Sequence, residues 1–159
     1  MTTFYFDASD AAATDPQAVW TNDANAFEGS TATTASCATA GDTSTNYLIG
    51  EGTNGYDLIG SILGVNARMN ANGSLVTVSA AVYTDALGEL LGTATVSGTN
   101  GWGSWITLST PSGGWTNAKI QALEVKMYVG GDAGTVSRVE IEVSQHSIPG
   151  RIYRAQGFQ

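Results

Sequence analysis

"TVSRVEIEVSQ" occupies residues 135–145, and its reading decides the fold. Val139, Ile141 and Val143 recur at every second residue, with Arg138, Glu140 and Glu142 between them. A period of two is that of a strand with one face on a core and the other in water. In a helix Ile141 would point away from the face that Val139 and Val143 share. Their β-branched character agrees with the strand.

Working outward, the same alternation recurs. In "AKIQALEVKMYVGG" (118–131), Leu123, Val125, Met127 and Val129 point inward, and Glu124 and Lys126 outward. A helix competes over 117–124, but the β-branched and aromatic continuation favours a strand. "LIGSILGVNARMNA" (58–71) sets Leu63, Val65, Ala67 and Met69 against Asn66 and Arg68. Asn72-Gly73 predicts a hairpin into "SLVTVSAAVYTD" (74–85), where Val76, Val78, Ala80 and Val82 face inward. "ELLGTATVSG" (89–98) continues the meander, Asn100-Gly101 predicts a turn, and "SWITLS" (104–109) follows. "TFYF" (3–6) and "NYLIGEG" (46–52) add two strands.

Residues 8–45 are small and polar, with Val19, Trp20 and Phe27 as the bulky exceptions. A structureless loop of that length is uncommon in a compact domain. The segment is expected to wrap the body, pinned by Trp20 and Phe27, with short strands of its own. Pro149-Gly150 stops the last strand. The fold expected is therefore all-β, an antiparallel β-sandwich of jelly-roll type, as one domain over 1–147. Residues 148–159 form a tail in which Arg151, Ile152, Tyr153, Arg154 and Phe158 lack a strand pattern.

Composition narrows the function. Charged residues make up 13% of the 159, about half the usual share, and hydroxyls, amides and 20 glycines fill the gap. The net charge is −8, and no Lys or Arg precedes Arg68. Such a surface repels phosphate, so nucleic acid is not an expected partner. No stretch approaches the roughly 18 apolar residues of a membrane helix. The opening "MTTFYFDASD" has neither a basic nor an apolar leader region, so assembly in a cytoplasm is expected.

Catalytic patterns are weak. There is no G-x-S-x-G, P-loop or dinucleotide fingerprint, and "GWGSW" (101–105) does not match a nucleophile elbow. His146 and Cys37, each the single residue of its type, read as a surface histidine and a small buried filler. They are too few for a zinc site. Glu140 and Glu142 share one strand face and read as a solvated pair balanced by Lys126 or Arg138. Trp102, Trp105 and Trp115 are candidates for stacking on sugars. Trp102 and Trp105, three apart, would face opposite sides of a strand. Asn72-Gly73-Ser74 is a turn that happens to fit a glycosylation sequon.

Two resemblances carry the expectation further. "NAFEGSTATTAS" (25–36), "NYLIGEG", "IGSILGVNARM" and "VEIEVSQ" resemble galactose-binding-like (discoidin-type) β-sandwiches. That resemblance implies a structural calcium held by Glu28, Ser30 and Thr33, with Glu140 or Glu142 as the late acid, and oxygen ligands suit that ion. Glutamate stands where the family has aspartate, and the tryptophan after the hydroxyl run is absent. "VWTNDANAFEGSTATTAS" (19–36), with the hydroxyl-rich strands, resembles small jelly-roll virion proteins of tailed bacteriophages. It implies a non-enzymatic capsid decoration or other virion-surface protein, assembled in the host cytoplasm without a cofactor. Its partners would be other virion proteins and copies of itself. The rival expectation is a carbohydrate-binding module of a tail adhesin, stacking glycan on Trp102 or Trp115.

Overall fold

The computed structural model describes residues 1–6, 15–27, 30–53, 60–131 and 133–146. In chain order the strands begin with β1 (Thr2–Tyr5), β2 (Trp20–Thr21), β3 (Ala35–Cys37) and β4 (Leu48–Glu51). The long β5 (Ile62–Asn72), β6 (Thr77–Tyr83) and β7 (Leu90–Ser97) follow, then the short β8 (Asn100–Trp102) and β9 (Ile106–Thr107). A single helical turn and a half, α1 (Asn117–Gln121), precedes β10 (Glu124–Val129) and β11 (Gly134–Gln145).

These strands make two antiparallel sheets that form an all-β sandwich. The larger runs β2-β3-β11-β5-β8, with β1 also on β11 and β9 also on β5. The smaller runs β4-β10-β6-β7. Val139, Ile141 and Val143 of β11 are buried with Val65, Ala67 and Met69 of β5, Val78 and Val82 of β6, and Val125 and Met127 of β10. Each of the Val, Ile and Met side chains among them contributes about 1.5–3 kcal/mol through burial. The alternation read from the sequence is thus the division between core and outer face.

Several expectations need correction. Asn72-Gly73 does not close a hairpin, because β5 and β6 lie in different sheets. The chain arches from one sheet to the other there. Gly73 donates its N–H to Thr99 O and accepts from Gly98 N, and a Cβ on it would lie 2.3 Å from Val96 O. The signal marked a close backbone approach rather than a tight turn. Asn100 and Gly101 are not a turn either; they lie in β8, paired with Asn72 and Ala71. Over 117–121 the helix prevails over the strand, because Thr116 caps it by accepting from Lys119 N at 3.2 Å. Leu63 shares the phase of Val65 but sits near the strand end and is 66% exposed.

The described part of residues 8–45 is built of short pieces. It contributes β2, β3 and a 3-10 turn at Asp23–Ala26. Trp20 is buried, and its indole N–H reaches Asn46 O at 3.3 Å. Phe27 is fully buried against β4, where a Cβ on Gly50 would come within 2.2 Å of its ring. An aromatic anchor and a missing side chain fit together.

Candidate functional site

Four of the sequence-predicted residues, Glu140, Glu142, Trp102 and Trp105, share the outer face of the larger sheet. Register explains how. Tyr5 lies opposite Glu140, and Glu140 opposite Arg68, so their side chains form one row across three strands. Glu140 is on the solvent side of β11, yet its side chain is only 8% exposed. Its Oε2 accepts from Arg68 Nε at 2.9 Å and Nη2 at 2.8 Å, and its Oε1 faces Arg138 Nη2 at 3.1 Å. Two guanidiniums on one carboxylate make a charge-assisted knot. Glu142 stands two residues along the strand, on the same face, and accepts from Asn66 at 3.2 Å.

Both tryptophans join this knot, against the expectation that they face opposite sides. Asn70 pairs with Trp102 and Ala67 with Ile106, which is three steps along β5 but four along its partner. The extra residue is a bulge that re-aims the chain. Trp102 and Trp105 consequently both reach Arg68, with ring centroids 4.1 and 4.3 Å from its guanidinium carbon. Arg138 lies 4.4 Å from the Tyr5 ring. These are cation–π distances. The signal was present in "GWGSW". Gly101 has a φ of +107°, and a Cβ on Gly103 would sit 2.5 Å from Thr95 O. Both glycines flank Trp102, one with a positive φ and one in close approach to β7.

The outer face of the smaller sheet is similarly self-occupied. Lys126 Nζ lies 4.1 Å from the Tyr47 ring and donates to Thr43 O at 2.8 Å. Burial lifts the Tyr83 phenol above its ordinary range, and Tyr128 adds to that. Glu124 points outward as expected but is roofed by the 84–89 turn. Its carboxylate accepts from Ala86 N at 2.6 Å and Leu87 N at 2.8 Å. Both residues have positive φ, so the carboxylate holds a backbone bend that their side chains disfavour.

The remaining candidates are dispersed. Glu28 lies outside the described residues, as do Arg151, Ile152, Tyr153, Arg154 and Phe158. Ser30 and Thr33 sit on the loop before β3, where Ser30 Oγ accepts from Ala32 N at 3.0 Å. Among the described residues no three His, Cys, Asp or Glu side chains converge as metal ligands. The two guanidiniums on Glu140 oppose a further cation there. Trp115 is half-buried and packs against the core, so less of its indole is offered to a ligand than of Trp102, which is 37% exposed. Arg68, absent from the expected site, is its centre; it carried no motif, and the bulge alone brings the indoles to it. Burial pushes the Cys37 thiol above its ordinary range, and the Asp15 carboxylate adds to this. In comparisons with known proteins, no family model matches the chain and no curated protein matches it.

Proposed function

We propose that the protein is a non-enzymatic structural component of a bacteriophage particle, a capsid-decorating or other surface β-sandwich. The observation that carries the reading is the commitment of charged side chains among the described residues to internal bonds. Glu140 is held by Arg68 and Arg138, Glu124 by two backbone amides, and Lys126 by Thr43. Lys119 Nζ donates to the carbonyls of Ser112 and Gly114. Such groups stiffen a body; general acid–base work needs a group free to exchange a proton. The passage of the chain from sheet to sheet at β5–β6 and again at β7–β8 supports a jelly roll. The virion itself rests on the resemblance of residues 19–36 and the hydroxyl-rich strands.

In this reading the sandwich is the rigid unit, copies of it associate on the particle, and residues 148–159 dock on neighbouring subunits. Purified particles probed with an antibody against the protein provide the test. High copy number places it on the capsid and low copy number on the tail, whereas absence from particles ends the proposal. A chain ending at Ser147 should fold but bind particles poorly.

A further inference from the structure

One cleft stands apart from these internally bonded surfaces. It has a volume of about 330 Å³ and lies at the β5–β6 end of the larger sheet. Its floor is a single cross-strand row. Thr21 is opposite Ser36, Ser36 opposite Thr135, and Thr135 opposite Asn72. At the usual strand separation the row is about 14 Å long. Val19 and Leu75 form apolar walls, and Leu75 is 94% exposed.

The hydroxyls of Thr21, Ser36 and Thr135 have no hydrogen-bond partner among the described residues. Asn72 Oδ1 accepts from Ser74 N and Oγ at 3.3 and 3.0 Å, which leaves its amide N–H groups for the cleft. Each hydroxyl both donates and accepts. None of the described residues lining the cleft is charged. The volume is within the range of small-ligand sites, and a few converging polar groups beside apolar walls are their usual composition.

We infer that this cleft binds a neutral saccharide. A pyranose presents hydroxyls that donate and accept around its edge and C–H groups on its faces, which match the floor and the Leu75 wall respectively. A phosphorylated or polyanionic ligand finds no cation among the described residues of the lining and meets a chain of net charge −8. A particle-surface role does not require this site, and the site does not require that role.

Affinity gel electrophoresis of the full chain tests the inference, with soluble neutral glucan, mannan, galactan and xylan in separate gels and a polyuronate as the acidic control. At least one neutral polymer should retard the protein. Thr135→Val and Leu75→Ser should each weaken that retardation about tenfold with unchanged melting temperature, the loss of roughly one well-placed contact. Thr135→Val keeps a strand-compatible shape, and Leu75 contributes little to the core, so folding should survive both. Retardation by none of the neutral polymers, preference for the polyuronate, or neutral binding untouched by both variants would each overturn the proposal.

Discussion

At the scale of single residues, two carboxylates show opposite relations to water. Glu124 is buried and holds two backbone N–H groups of a left-handed bend. Glu124→Ala leaves those donors without their acceptor and should lower stability by about 1–3 kcal/mol in urea titration. An unchanged midpoint would mean that the bend holds without it. Asp42 is exposed, and hydrogen bonds from Ser44 Oγ and the Ser44 and Thr45 amides hold its carboxyl below the ordinary range. A depressed folded value stabilises the protein fully above the unfolded carboxylate value of about 3.9 and loses that contribution as pH falls through the folded value. The melting-temperature gap between the native chain and Asp42→Ala should therefore be present at pH 7 and close under strong acid. A gap that persists at pH 2 would assign it to something other than the charge.

At this scale the inward residues were legible because alternation is a property of each strand alone. Val65, Val78, Val125, Val139 and their neighbours are buried as their spacing requires. Trp105 was not legible by the same rule, since one inserted residue in the partner of β5 reverses its phase. Parity counts residues, and a bulge changes the count without changing the composition. The free hydroxyls of the cleft were hidden for another reason. Thr21, Ser36, Thr135 and Asn72 come from four strands distant in sequence, and only register places them side by side.

At the scale of elements, the long polar stretch before β4 is held by few anchors, so each should matter. Phe27→Ala should cost about 3–5 kcal/mol, because its ring fills space that Gly50 leaves open and little nearby can collapse into it. Equilibrium unfolding measures this directly, and a loss below about 1 kcal/mol would show the segment to be held elsewhere. Elements also explain the misread turns. Asn-Gly is favoured wherever backbones turn or approach closely, and its sequence does not say whether the next strand pairs in the same sheet. The arch at Gly73 and the crossing into β8 are decisions of the sandwich. α1 was the reverse case, where a local cap at Thr116 outweighed the β-branched residues downstream.

At the scale of the molecule, the single cysteine offers a probe of global opening. Cys37 lies in β3, paired with Trp20 of β2, is buried, and has a thiol held above its ordinary pKa. Alkylation at pH 8 should be slow in the native protein and rise with the fraction unfolded in denaturant. Labelling that runs ahead of the main unfolding transition would instead reveal independent fraying of β2 and β3.

The position of β11 has a consequence for the order of events on the ribosome. It is the last described strand to be synthesised, yet β1, β3 and β5 all take it as their pairing partner. The larger sheet therefore has no middle until the polymerising chain reaches residue 145, and its earlier strands must wait with open edges. Contacts so distant along the chain close slowly, on the order of milliseconds to seconds. A nascent chain stalled at Ala133 should remain protease-sensitive, and one extended beyond His146 outside the exit tunnel should become resistant. Folding would then be a single late event rather than a progressive one, with the open edges most vulnerable to mispairing just before it.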